Sequence, residues 1–206
     1  MSSSPAARRL ALGIVVLAGY ADSVSYLQFH KVYASFMSGN TTALGVALAS
    51  ARWPHAAVLA GVVLTFVLGV VVGTWLHRVG PRPASSVLAA IAGLLVAAGL
   101  VPAGLWLLVL SMGMLNAAVH QTGKTALGLT YVTGALVKTG AALADGLGGR
   151  GWQPGWYWQA LDWLCLAAGA VGGALAYGSL AQRGALVAAA GAALALALVA
   201  RRATPD

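Results

Sequence analysis

The sequence predicts an all-α, polytopic membrane protein: about six spanning helices, two short half-helices and an inverted internal repeat in a single transmembrane domain, residues 1–206. Three observations carry this prediction. The chain is 60% hydrophobic, only 8% of it is charged, and its mean hydropathy is +0.84, too little polar surface to clothe a soluble globule of this size. Its apolar runs have the length of membrane helices. And its chain can be slid onto itself so that glycine and polar positions coincide.

The runs fall at about 10–29, 55–76, 84–101, 103–120, 156–178 and 184–200. Each is close to the length that crosses a hydrocarbon core of ~30 Å as a helix, with some tilt. None alternates as a membrane strand would, which excludes a β-barrel. The net charge of +8 would suggest nucleic acid as a partner in a soluble protein. Here Lys and Arg flank spans and sit in short connections, as topology signals do, so no nucleic-acid partner is expected. Cys165 is the single cysteine, so no intrachain disulfide forms. Arg8 and Arg9 before an apolar run ending in "GYA" have the outline of a signal peptide. Cleavage there is not expected, because Gly19 and Asp22 belong to the repeated unit.

A shift of 94 residues sets Gly19, Asp22 and Tyr26 of "GYADSVSY" over Gly113, Asn116 and His120 of "GMLNAAVH". A shift of 95 then sets Gly39, Gly45, Ala47, Leu48 and Ala49 over Gly134, Gly140, Ala142, Leu143 and Ala144, with Ser38 over Thr133 and Phe36 over Tyr131. Beyond an extra loop of about ten residues, "GTWLHRVG" (73–80) pairs with "GSLAQRGA" (178–185), so Gly69-x-x-x-Gly73 pairs with Ala174-x-x-x-Gly178. These small residues are expected to pack helices tightly, within one subunit or across a homodimer. Repeat 1 covers about 10–101 and repeat 2 about 103–202. Trp53, Trp75, Trp106, Trp152 and Trp156 lie near span ends and read as interfacial anchors.

Each half is a long span, a short polar-led segment and two further spans. The segment 36–50 makes a helix of only about 22 Å, and it opens with "FMSGNTT", residues that favour caps over helix interior. It is expected to enter the membrane and turn back, as is 130–147. Loop charges discriminate. If both short segments cross, basic residues divide almost evenly between the two sides. If both turn back, Arg8, Arg9, Arg78, Arg82, Lys124, Arg150, Arg201 and Arg202 share one side, against Lys31, Arg52 and Arg183. Only the second arrangement obeys the positive-inside rule, and it puts both termini in the cytoplasm. With three crossings per half, the second half is inverted relative to the first, the plan of many secondary transporters.

Irregular backbone at membrane depth survives only when buried in protein or lining a polar cavity. A half-helix start offers unpaired N–H groups and a positive dipole end. The expected substrate-binding set is therefore Ser38, Gly39, Asn40 and Thr41 from the first half-helix, Thr133 and Gly134 from the second, and Asp22, Asn116 and Lys138. The competing reading of the Ser, Thr and Gly cluster is helix contact alone. Asp22 costs about 2.5–3.5 kcal/mol in the membrane and should face the protein interior; it either serves transport or is a buried pair, with Lys138 or Asn116 as partner. Lys138 stands where the first half has Ala43, and would neutralise Asp22, bind an anion or snorkel to the interface. Asp162 reads as interfacial or paired. No histidine pair has metal-ligand spacing, so neither a metal nor a cofactor is expected.

The stretches "AGYADSVSYLQFHKVYASFMSGNTTALGVALA" (18–49) and "GMLNAAVHQTGKTALGLTYVTGAL" (113–136) resemble the YoaK-type family of bacterial inner-membrane proteins, a domain of unknown function. The likeness spans nearly the whole chain. Where that family carries Gln-Asn in its fifth span this chain has Leu115-Asn116, so only the asparagine carries over. The resemblance implies a helical inner-membrane protein and no established activity. The residues favour a transporter of a small molecule or ion; a non-transporting assembly or regulatory protein is the alternative. An enzyme is not expected, since no nucleophile, base and orienter set is apparent.

Overall fold

In the computed structural model, which describes residues 5–80, 82–122, 132–152 and 154–203, the apolar runs become helices and nothing becomes a strand. They are α1 (Pro5–Gln28), α2 (Met37–Ala49), α3 (Trp53–Val79), α4 (Pro83–Leu100), α5 (Gly104–Thr122), α6 (Val132–Leu147) and α7 (Tyr157–Ala203). Pro54 and Pro83 sit in the first turns of α3 and α4, where the missing N–H costs nothing and the fixed φ suits the helix. α1, α3, α4 and α7 are long and apolar enough to cross a membrane, and α5 is apolar over Gly104–Ala118. α7 is broken at Ala181 (φ 55°, ψ −176°) into two arms of roughly 33–36 Å. With those arms counted separately, the six expected spans are all present.

Contacts give the direction of each helix. Arg8 lies over the ring of Trp158 at 3.9 Å, and the Tyr177 hydroxyl donates to Gln28 Oε1 at 2.6 Å, so α1 runs parallel to the first arm of α7. Tyr20 donates to the carbonyl of Ala185 at 2.9 Å and Gly13 packs on Leu196, so the second arm runs back. Gly61 lies against Trp106 and Gly73 against Met114, making α3 and α5 parallel, while Gly99 approaches Arg183 and Gly104 approaches Ala98. The C-terminus of α1, the starts of α3 and α5, the end of α4 and the Ala181 kink therefore share one end of the bundle. Since α1 ends and α3 begins at that end, α2 leaves it and returns to it. α6 does the same from the opposite end, between α5 and α7. The basic residues segregate accordingly: Lys31, Arg52 and Arg183 lie at the kink end, and Arg8, Arg9, Arg78, Arg82, Arg150, Arg201 and Arg202 at the other. Lys124, Thr130 and Tyr131 lie outside the described residues.

Two glycine seams hold the spans together. On one, Gly19 faces the backbone of Leu166 and Ala170, and Gly169 and Gly173 face Val16 and Tyr20; on the other, Gly113 faces Phe66, Gly69 and Val70, and Gly69 faces Leu110. A Cβ at any of them would run into backbone, so only glycine permits this approach. In lipid, where burying apolar surface gains little, such contact is what drives helices together. The sequence pairing of Gly69 and Gly73 with Ala174 and Gly178 is corrected here. Their places on the opposite seam are held by Gly169 and Gly173; a Cβ on Gly178 would meet nothing within 4 Å, and Ala174 lines a cavity instead. Alanine-rich sequence aligns with itself at several offsets, and only contact separates them.

The main core joins Leu10, Ile14 and Leu17 of α1 to Leu88, Ile91 and Leu95 of α4, Leu108, Met112 and Leu115 of α5, and an alanine stripe, Ala185, Ala189, Ala193 and Ala197, on the second arm of α7. A smaller cluster, with Leu59, Val62 and Phe66 of α3, seats α2 through Ala47.

The seams predict an ordering of stabilities. Gly69→Leu and Gly169→Leu should each lower the detergent melting temperature sharply, whereas Gly178→Ala and Gly93→Ala, whose Cβ positions are open, should leave it within a few degrees. Equal effects at all four would mean the seams are not where the stability lies. For topology, single cysteines in a Cys165→Ala background should label from one common side at Lys31 and Arg52 and from the other at Arg78 and Arg150. Opposite sidedness for Lys31 and Arg52 would show that α2 crosses.

Candidate functional site

After α1 the chain reverses through His30 (φ 52°) and Lys31 (φ 69°), two successive left-handed residues that lack glycine's freedom and are therefore held by their surroundings. The reversal lays residues 32–36 back along α1. There the Ser35 N–H donates to Asp22 Oδ1 at 2.6 Å and the Ser35 hydroxyl to Asp22 Oδ2 at 2.7 Å, with the backbone of Ala34 and Phe36 also turned toward the carboxylate. Asp22 thus sits at the start of α2, where a negative charge opposes the positive end of the helix and satisfies loose N–H groups. α2 has Phe36 at its N-cap and no side-chain cap of its own. The cluster expected to form the helix start, Ser38, Gly39, Asn40 and Thr41, lies instead inside its first turns, and the carboxylate from α1 bonds the residues just before the helix.

The polar stretch shapes the reversal instead. Asn40 is 0% exposed; its Oδ1 accepts from the Tyr33 N–H at 3.0 Å and its Nδ2 donates to the Tyr33 carbonyl at 2.8 Å. One side chain thereby closes both backbone groups of a residue that no helix serves. Gly39 leaves room for rings: a Cβ there would come within 2.5 Å of Phe36 and 3.2 Å of Tyr33. Tyr33 in turn stacks at 5.2 Å on Tyr26 and meets Phe36 edge-on at 5.3 Å. Thr41 and Thr42 are exposed and bond back to the carbonyls of Met37 and Ser38, and Ser38 is exposed.

A cavity of about 550 Å3 opens beside Asp22. Its walls are Gly19, Asp22, Ser23 and Tyr26 of α1; Tyr33, Ser35 and Phe36 of the reversal; Val132, Thr133 and Leu136 at the start of α6; and Trp163, Leu166, Ala170 and Ala174 of α7. The residues leading into one half-helix and those beginning the other therefore meet across one space, reached from opposite ends of the bundle. Of the nine expected site residues, Asp22 and Thr133 line it. Gly39 and Asn40 stand behind Tyr33 and Phe36, and Ser38 and Thr41 are exposed on α2. Gly134 is half-buried on α6, and Asn116 donates to the Met112 carbonyl of its own helix at 3.0 Å. Lys138 is exposed on α6, and the acceptor groups of Asp22 are met by the 34–36 backbone and the Ser35 hydroxyl, not by Lys138 or Asn116. The carboxylate's hydrogen-bond acceptors are met at a helix end, and no basic side chain among the described residues that line the cavity pairs with it.

The residues sequence reasoning missed are Ser35, Tyr33 and Trp163. A signal existed for Tyr26, which lies four residues after Asp22 on the same helical face. None existed for Trp163, which reaches the cavity only because the glycine seam of Gly19, Gly169 and Gly173 sets α7 beside α1. Among the described residues no three His, Cys, Asp or Glu side chains gather as metal ligands would.

Helices that cross, helices that turn back and a walled cavity between them define a polytopic helical membrane protein with an internal cavity. Comparison with known proteins narrows this. A family model described as "Protein of unknown function (DUF1275)" matches residues 10–199, and the chain belongs to that family. It is also 35% identical to UPF0700 transmembrane protein RA0705 of Rhizobium meliloti (strain 1021) over 171 residues, 81% of this chain and 74% of the relative. No solved structure matches.

The division of labour along the polar stretch can be measured. Asn40→Ala leaves the buried Tyr33 backbone pair without a partner and should cost about 1–3 kcal/mol, read as a lowered melting temperature. Ser38→Ala and Thr41→Ala should stay within about 0.5 kcal/mol of wild type. A loss at Ser38 as large as that at Asn40 would show that the cluster acts as a unit.

Proposed function

We propose that this protein is a secondary transporter of the bacterial inner membrane, built as an inverted repeat, with its substrate site in the cavity beside Asp22. The observation that carries the proposal is the meeting of two half-helix starts, one from each end of the bundle, at one cavity that also contains an intramembrane carboxylate. Interrupted helices converging at mid-depth from opposite faces are how such transporters present backbone dipoles and polar groups to a solute. An acid kept inside a membrane segment at a cost is a functional group by default.

The seams support the duplication. Gly19 meets Leu166 and Ala170 as Gly113 meets Phe66 and Val70, pairs related by 94 residues on one side and 100 on the other. Each half therefore lends its first span to the third helix of the other half, and α2 packs on α3 as α6 packs on α7. Such crossed pairing leaves two similar bundles that can rock about the site between them. The excess of arginine at the Arg8 end favours a cytoplasmic side for that end and for both termini. A binding role suits Asp22 better than a catalytic one, since its carboxylate is engaged in holding the loop that precedes α2.

Flux in reconstituted vesicles tests the reading. Asp22→Asn keeps the shape and removes the charge, and should reduce solute flux at least tenfold while the exposed Ser38→Ala variant transports normally. Wild-type flux from a folded Asp22→Asn protein would remove the site from the cavity. Because the solute is unknown, a thermal-shift screen of amines, small organic anions and metal ions comes first; a ligand that binds the folded state raises the melting temperature.

A further inference from the structure

We infer that the cavity accepts a monovalent organic cation with an apolar body, an alkylated amine or quaternary ammonium; this rests on the reading of the cavity as a substrate site and names the substrate's class. Four aromatic side chains, Tyr26, Tyr33, Phe36 and Trp163, line the space together with Asp22, and none of the described residues lining it is basic. Aromatic faces attract a cation through their negative quadrupole, by about 0.5–1 kcal/mol each at exposed sites and about 2 or more when desolvated.

The starts of α2 and α6 both reach the cavity, each with a positive end equivalent to roughly half an elementary charge. Together they offset the charge of Asp22 without reversing it, so the preference for a cation rests on the aromatic faces grouped around the carboxylate. Burial away from water strengthens that attraction, because the same charges interact more strongly where the effective dielectric constant is lower. Asp22 accepts from the Ser35 N–H and hydroxyl and faces the backbone of Ala34 and Phe36, which together fill its roughly four lone-pair sites, so a cation that needs no hydrogen-bond acceptor suits it.

The same geometry disfavours a bare metal ion. A hard cation needs about six to eight oxygen ligands to replace its water, and the cavity supplies one carboxylate already shared with Ser35. A quaternary ammonium is weakly hydrated, requires no ligand set, and buries its alkyl groups against Leu136, Leu166 and Ala170. The walls are thus apolar where the body would lie and negative where the head would lie.

The test uses the full-length protein in detergent and tritiated benzyltriethylammonium, displaced by three competitors of similar size: the unlabelled cation, the neutral N,N-diethyl-2-phenylacetamide and the anionic 4-phenylbutanoate. Saturable binding is expected, with the amide and the anion at least tenfold weaker than the cation. Tyr26→Leu and Trp163→Leu keep apolar volume and remove the π face; each should weaken binding by about 2- to 30-fold. Asp22→Asn should weaken it at least tenfold, and if that variant fails to fold, the two aromatic variants carry the test. The inference is overturned if the folded protein shows no saturable cation binding at millimolar concentration, if the amide or the anion competes as well as the cation, or if both aromatic variants bind like wild type. Cation binding without counterflow in vesicles would keep this inference and remove the transport reading. Counterflow of the amide or the anion without cation binding would do the reverse.

Discussion

A peptide backbone inside a bilayer has no water to bond with, and this protein interrupts its backbone there. Everything around the first half-helix answers that constraint. The chain leaves α1 and doubles back through two left-handed residues, and its loose groups are then met in turn. Asp22 takes the Ser35 N–H and hydroxyl, and Asn40 closes both backbone groups of Tyr33. Remove these partners and each orphaned group costs several kcal/mol in hydrocarbon. A carboxylate that looks expensive on a hydropathy plot therefore substitutes for the water that a helix start would otherwise require.

That solution depends on helices standing unusually close. The α1–α7 and α3–α5 seams bring backbone against backbone at Gly19, Gly113, Gly69, Gly169 and Gly173. The α1–α7 seam also brings Leu166 and Ala170 into the cavity lining with Asp22. The glycines that give the bundle its cohesion thus also set the distance between the cavity's walls. Tightly packed elements shift between discrete arrangements rather than deforming smoothly, so a bundle joined by two narrow seams has a defined line along which its halves can move.

Charge is distributed with the same economy. The Arg-rich end also holds aromatic groups at its rim, with Arg8 over Trp158 and Trp152 stacked on Trp156 at 5.2 Å. Arginine over an indole keeps a cation at the membrane boundary while its stem lies on an apolar surface. Lys138 is exposed on α6, so among the described residues the charge at the cavity is that of Asp22 against helix dipoles.

Much of this was legible in the sequence, because the relevant physics is local. A run of about twenty apolar residues has one conformation open to it in lipid, so the spans, their approximate limits and the shortness of α2 and α6 follow from composition and length. The turning back of α2 was readable from charge, since Lys31 and Arg52 could share a side only if it did not cross. Asp22 was marked by its cost, and Thr133 by its place opposite Ser38 in the repeat. What the tertiary structure alone decided is which polar groups face each other. Ser38, Asn40 and Thr41 have the composition of a site, yet a polar residue at membrane depth can serve a ligand or a neighbouring backbone, and sequence does not separate the two. The register of the third helix, Gly169 and Gly173 rather than Ala174 and Gly178, and the arrival of Trp163 beside Asp22 depend on contacts between residues more than a hundred positions apart. Such contacts are set by how closely two backbones can approach, a property of the pair that neither segment carries alone.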